Sequence, residues 1–174
     1  VKIGTALRRT LLPGFVVQIL YWMRCGAMVS ARSEVEFSPS ARLGRGTVIS
    51  AFTKVKVGGP FVTGLRTQIA SHCFLSSGAG GVTLGDDVLI GPGCVIVGNN
   101  YRYEKLGVPL PDQGTESRGI RIHDRVWLGA QCVVLDGVTM GADAIAVAGS
   151  IVTSDVPEGA VVEGNPARVI FTRR

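Results

Sequence analysis

Two histidines, His72 and His123, are the side chains in this 174-residue chain whose ordinary acidity suits proton transfer near pH 7. His72 precedes Cys73 and reads first as a corner or surface residue, second as a base reaching across a subunit interface. His123 follows Ile122, where the surrounding pattern usually has glycine. A three-histidine zinc site needs more imidazoles than the chain holds, and no zinc-finger spacing occurs, so no metal is expected. Four cysteines are too few for a disulfide scaffold. Polar chemistry gathers instead in residues 97–121, which include Asn99, Asn100, Tyr101, Asp112 and Gln113. A segment of that length without regular patterning is usually functional.

A regular scaffold must hold these residues. Apolar or β-branched residues recur every six positions at Phe37, Leu43, Ile49 and Val55, then after a two-residue slip at Val57, Thr63, Ile69 and Leu75. A three-residue slip leads to Leu84, Ile90 and Ile96, and the count resumes at Ile122, Leu128, Val134, Met140, Ala146 and Val152. Outside residues 97–121, the fourth residue after each is small or β-branched, with Phe61 the bulky exception. This period fits neither an α-helix nor a hairpin. It fits an all-β solenoid of short parallel strands, with glycine easing the bends and coils stacked at about 4.8 Å. Three hexads per triangular coil put equivalent residues 18 apart, so Ala130 sits under Ala148. Cys73, Cys94 and Cys132 fall on the small fourth position as packed thiols, which fits a reduced, cytoplasmic protein; Cys25 lies outside the repeat.

Composition agrees with one domain. Hydrophobic residues make up 46% and charged residues 18%, with 24 glycines dispersed, which excludes disorder and collagen. The net charge of +5 is concentrated: residues 1–33 hold Lys2, Arg8, Arg9, Arg24 and Arg32 and no acid. No nucleic-acid motif accompanies them, so no nucleic-acid partner is expected. The apolar run Leu11 to Met23, broken by Pro13, Gly14 and Gln18, is too short to cross a bilayer, and no cleavage signal follows it. It predicts a helix kinked or started at Pro13, packed on its own domain or a sister subunit. The alternative is a basic amphipathic segment, residues 1–24, resting peripherally on an anionic membrane. The organisation is then a basic helical segment at 1–33, repeats at 34–170 with the 97–121 insertion, and a basic tail at 171–174.

Over roughly residues 37–170 the repeats, and most specifically the run from Val126 to Ile170, resemble the hexapeptide-repeat acyltransferases, in particular sugar and polysaccharide O-acetyltransferases of the maltose and galactoside type. The resemblance implies a left-handed parallel β-helix, a homotrimer, and acetyl-coenzyme A as cosubstrate in a groove between subunits. It implies that Trp127 borders the groove, that Ala130 and Ala148 offer backbone to the pantetheine arm, and that Thr153 and Ser154 lie near the nucleotide end. Arg168, with Arg173 or Arg174, would supply cationic charge to phosphate. The long loop would lean over a neighbouring subunit, with Asn99, Asn100, Asp112 and Gln113 orienting a sugar acceptor.

One position departs from the family. Where related enzymes carry Asn-His-Arg-Tyr with histidine as base, this chain has Asn100-Tyr101-Arg102-Tyr103. A phenol near pKa 10 needs a depression of about 3 units to serve as a base at neutral pH. The leading reading is O-acetyl transfer to a sugar of a surface-polysaccharide or glycolipid precursor, with Tyr101, Asn100 and His72 as candidate catalytic residues. An amino-sugar N-acetyltransferase and a catalytically impaired trimeric scaffold are the alternatives.

Overall fold

The computed structural model describes residues 13–174, so Lys2, Arg8, Arg9 and the first half of the 1–24 segment lie outside the described residues. Most strands hold two to four residues, with alternate side chains buried. They stack into three faces of a prism. The first face is an eight-stranded sheet: seven parallel strands from Met28–Val29 to Ala160–Gly164, closed by the antiparallel strand Ala167–Thr172. The second has six parallel strands from Glu34–Val35 to Ile151–Val152, and the third has five from Ala41–Arg42 to Thr139–Met140.

Inside the prism the repeat becomes columns. Val29, Ile49, Ile69, Ile90, Leu128 and Ala146 line the first face and are each at most 1% exposed. Val55, Leu75, Ile96, Val134 and Val152 line the second. Burying each such side chain contributes about 1.5–3 kcal/mol, so these columns supply the main driving force. Small polar residues fill the corners. The hydroxyls of Thr53 and Thr67 donate to the carbonyls of Ala70 and Gly85, each at 2.7 Å on the next coil. The thiols of Cys94 and Cys132 do the same to Gly129 and Val147 at 3.1 and 3.2 Å. The Cys94 thiol, flanked by those of Cys132 and Cys73 and buried, is pushed well above the ordinary thiol range. Alkylation of the native chain should therefore label Cys25 first, with Cys73, Cys94 and Cys132 reacting only on unfolding; mass spectrometry of labelled peptides checks it.

The spacing of 18 holds only in the last regular coils, as in Val134 beneath Val152. Earlier partners are 20 or 21 apart, as in Val35 with Val55 and Ile69 with Ile90. The extra residues all fall at the corner between the second and third faces, in Phe37-Ser38-Pro39-Ser40, in Gly58-Gly59-Pro60 and in Gly78-Ala79-Gly80-Gly81. The same corner releases the long insertion. Two expectations change accordingly. Val57 ends the strand Lys54–Val57 half-buried and does not open a new column; Phe61 and Thr63 do. Val35, not Phe37, occupies the first column position of the second face. Phe37 turns its ring edge-on to Tyr21, with centroids 5.4 Å apart. The solenoid starts at Met28, ahead of residue 34, and its last strand runs past 170 to Thr172.

Helix α1, Gly14–Cys25, begins at Pro13, which has no N–H to leave unpaired, and ends at Gly26 in the left-handed region with φ 68°. It covers the open end of the first coil. A Cβ on Gly14 would stand 2.0 Å from the Ala31 carbonyl oxygen, so only glycine permits that approach. Tyr21 is 1% exposed, its hydroxyl donates to the Glu36 carbonyl at 3.3 Å, and burial pushes its phenol up to about 12. No helix among the described residues is long and apolar enough to cross a membrane.

The corner between the third and first faces carries alternating charge. Arg66, Asp87, Arg125 and Asp143 all adopt positive φ there. Arg66 pairs with Asp87, Arg125 pairs with Asp143 at 2.8 Å, and Arg173 donates to the Asp143 carbonyl at 3.3 Å. The guanidinium partners hold both carboxyls below the usual aspartate range. A depressed carboxylate stabilises the fold above the unfolded aspartate pKa and loses that contribution as pH falls through its own.

Candidate active site

The corner between the first and second faces is a column of small residues. Gly93, Gln131 and Gly149 receive the turn there, and their N–H groups donate to the carbonyls of Ser71, Pro92 and Ala130 at 3.0, 2.8 and 2.8 Å. Those bonds stack Ser71, Pro92, Ala130 and Ala148 on successive coils. Below Ala148, a Cβ on Gly129 would come within 2.5 Å of the Ala148 nitrogen, so glycine there lets the coils close up. Ala148 is exposed and Ala130 half-buried. Among the described residues neither N–H finds a protein acceptor. This leaves an unobstructed strip of backbone donors, suited to a thin amide-bearing chain. Trp127 stands on the first face before this corner, 48% exposed, between Leu89 and Ile145 on adjacent coils. His72 belongs to the same corner two coils below Gln131, roughly 10 Å at ordinary strand spacing, with its ring stacked on Phe52 at 5.1 Å.

The opposite corner of the second face carries the insertion. Asn100–Tyr101 pairs antiparallel with Thr115–Glu116, placing Tyr101 opposite Thr115, and the 3-10 turn Leu110–Gln113 folds back between them. The Tyr101 ring is 53% exposed. The Gln113 amide holds the insertion together: it accepts from the Lys105 N–H at 3.0 Å and donates to the Lys105 and Val108 carbonyls, both at 2.9 Å. Asp112 lies exposed on the same turn. Ser117 ties the root down, donating to the Gly98 carbonyl and accepting from the Gly80 N–H at 2.9 Å.

Beneath this root lies an open cavity of about 490 Å³, lined by Glu36, Lys56, Ser76, Asn99, Thr115 and Ser117, among others. Carboxylate, ammonium, hydroxyl and amide groups converge there, a set that matches a polyhydroxylated acceptor. Of the predicted acceptor residues, Asn99 is the one that lines it. Glu36, Lys56, Ser76 and Ser117 went unread in the sequence; the glycine-rich breaks at 58–59 and 78–81 were the mark of the corner they surround.

The remaining candidates are dispersed. Thr153 and Ser154 are exposed beyond Ile151–Val152, at the insertion's corner but on the last coil. Arg168 lies on the closing antiparallel strand opposite Glu163, donating to its neighbour Ala167's carbonyl at 3.1 Å. Arg173 is at the third corner beside Asp143, away from both groups, so within one chain it does not join Thr153 and Ser154. His123 is exposed on the third face, its N–H bonded to the Met140 carbonyl at 3.0 Å. No cluster of three or more metal-ligating side chains occurs among the described residues.

Comparison with solved structures settles the hand of the solenoid. A mutant of AntD, an N-acyltransferase from Bacillus cereus in complex with dTDP and coenzyme A, superposes with a TM-score of 0.78 at 17% identity, covering 90% of this chain and 88% of that one. The fold shared with that structure is a left-handed parallel β-helix. The hexapeptide-repeat acetyltransferase VCA0836 of Vibrio cholerae O1 biovar eltor, complexed with acetyl-coenzyme A, gives 0.59 at 24% identity over 97% and 81% of the two chains. The polySia-specific acetyltransferase NeuO gives 0.61 at 23%, covering 85% of this chain and 68% of that one. No protein-family model matches the chain. In sequence it is similar to a 2,3,4,5-tetrahydropyridine-2,6-dicarboxylate N-acetyltransferase of Staphylococcus aureus (strain MRSA252), 43% identical over 88 residues, or 51% of this chain and 32% of that enzyme. It is 29% identical over 93 residues, 53% and 31% of the two chains, to the probable acetyltransferase Rv3034c of Mycobacterium tuberculosis (strain ATCC 25618 / H37Rv). The matched stretch, about half of this chain, thus covers about a third of the length of these curated relatives.

Proposed function

We propose that this β-helix moves an acetyl group from acetyl-coenzyme A to a sugar hydroxyl of a surface-polysaccharide or glycolipid precursor, at a site completed between neighbouring copies in a homotrimer. The observation that carries the reading is the separation of two half-sites on one chain. The Ala130–Ala148 donor strip lies at one corner of the second face, and Asn99, Asn100, Tyr101 and the polar cavity lie at the other. Neither half alone juxtaposes a thioester and an acceptor, whereas an insertion reaching a neighbour's strip does. The coenzyme A and acetyl-coenzyme A complexes of the structural neighbours support the donor half.

In this arrangement the pantetheine amides take the free N–H groups of Ala130 and Ala148, with Trp127 walling the strip. The acceptor oxygen attacks the thioester carbonyl, its proton passes to a base near Tyr101, and the coenzyme thiolate leaves and is protonated. Acetyl transfer to an amino sugar is a second reading. It is favoured by the phenol at 101 where a histidine base would serve a hydroxyl, since a neutral amine is the better nucleophile. The N-acyl and N-acetyl names of AntD and the staphylococcal relative agree with it.

Calorimetric titration with acetyl-coenzyme A tests the donor half. Saturable binding near one site per chain is expected, and absence of binding at millimolar ligand refutes the reading in favour of a scaffold. Ala148→Trp should lower coenzyme affinity about 10²-fold, or about 2.7 kcal/mol, by filling the strip. The melting temperature should hold, because Ala148 is exposed. Thiol release with hydroxyl-only against amino-bearing acceptors separates the two acceptor classes.

A further inference from the structure

Helix α1 meets the solenoid along one flank only. Val17, Tyr21 and Cys25 face the first coil. Phe15, Ile19, Trp22 and Met23 are 58%, 49%, 65% and 64% exposed, and Met28 just beyond the helix is 55% exposed. At 3.6 residues per turn these four helical residues form a single face turned away from Tyr21. The polar residue Gln18 stands at one margin, while Arg24 lies toward the other side of the helix with its guanidinium over the Phe37 ring at 6.0 Å.

Charge is distributed unevenly along the axis of the solenoid. Residues 13–69, the capping helix and first coils, hold seven bases and two acids, for a net +5. Residues 70–174 hold eight bases and eleven acids, for a net −3. The apolar face of α1 therefore sits on the positive end. Arg24 and Arg32 are exposed at that end, and Arg45 is exposed with its side chain against Gly26, where the helix stops. The twelve residues ahead of Pro13 add Lys2, Arg8 and Arg9 and no acid.

We propose that this end of the molecule is a docking surface for an anionic lipid bilayer. Helix α1 lies in the interface with Phe15, Ile19, Trp22 and Met23 toward the acyl chains, and Arg32 and Arg45 meet headgroup phosphates. An apolar helix face carrying an indole, on an end of the molecule where cations outnumber acids, is the chemistry such a surface recognises. Docking in this way stands the solenoid on its first coil, with the acidic upper coils away from the negative surface. The proposal does not depend on the acetyl-transfer reading.

The test is co-sedimentation of the full chain with vesicles of phosphatidylcholine alone, or with about one-third phosphatidylglycerol. Partitioning onto the anionic vesicles should exceed that onto neutral ones by about tenfold or more and fall as salt is raised. Phe15→Ser with Trp22→Ser, and separately Arg32→Glu with Arg45→Glu, should each lower it by about tenfold. In a Trp127→Phe background, Trp22 emission should shift to the blue on adding anionic vesicles. The proposal is overturned if the chain does not partition, or if the Phe15 and Trp22 substitutions leave partitioning unchanged. It is equally overturned if those substitutions dissociate an oligomer in sedimentation velocity without affecting vesicle binding, because a second copy of the chain then covers the face.

Discussion

Tyr101→His should raise acetyl transfer to a hydroxyl acceptor by about 10²-fold at neutral pH, the lower end of what a positioned general base contributes. The residue lies on the antiparallel ribbon opposite Thr115, 53% exposed, so an imidazole fits without repacking the β-helix. An imidazole with a pKa near 6.5 is largely unprotonated at pH 7.5 and still basic enough to accept the hydroxyl proton. The gain should appear in kcat, with coenzyme KM nearly unchanged, because the strip holds the coenzyme through the backbone N–H groups of Ala130 and Ala148 and not through the side chain at 101. It should fade as pH falls through about 6.5, as the imidazole protonates. Transfer to an amine acceptor should gain far less. Steady-state kinetics with both acceptors over pH checks this, and an unchanged rate with the hydroxyl acceptor would place the proton acceptor elsewhere.

Gly129→Ala should cost about 3 kcal/mol of stability, the upper range for overpacking a tight interior. The added Cβ would meet backbone atoms, the Ala148 nitrogen at 2.5 Å and its Cα at 2.8 Å, and no rotamer change relieves a clash with backbone. For a chain of this length that corresponds to a melting temperature lower by about 10 °C. Thermal unfolding followed by circular dichroism measures it. Because the same coil contact sets the spacing of Ala130 and Ala148, coenzyme affinity should fall with stability. Ala148→Trp removes affinity while sparing stability, so the pair distinguishes a blocked strip from a displaced one.

The columns were legible because burial in a prism demands an apolar side chain at each return of the chain. Ile49, Ile69 and Ile90 follow from the spacing alone. Register slips were legible too, but not where they fall in space. The steps to Val57 and from Leu75 to Leu84 look like irregularities until the structure assigns both to the corner that also releases the insertion. Phe37 misled because Val35 satisfies the column and the aromatic ring serves Tyr21 instead. Site residues divided along similar lines. Ala130 and Ala148 were placed by the period. The cavity around Glu36 and Lys56 was not, since it forms between coils and an insertion root more than forty residues apart in sequence. Asp112 and Gln113 looked alike as loop polars, yet the Gln113 amide folds the loop itself.

Near-identical hexads create a folding hazard, because each coil offers its neighbours almost the same edge and the chain could thread one coil out of place with little loss of apolar burial. The alternation of Arg66, Asp87, Arg125 and Asp143 along the third corner opposes that error. Omitting one coil would set Arg66 against Arg125, or Asp87 against Asp143, turning attraction into repulsion. Each exposed pair is a weak source of stability. As a code for coil order it discriminates between arrangements that the hydrophobic columns leave nearly degenerate.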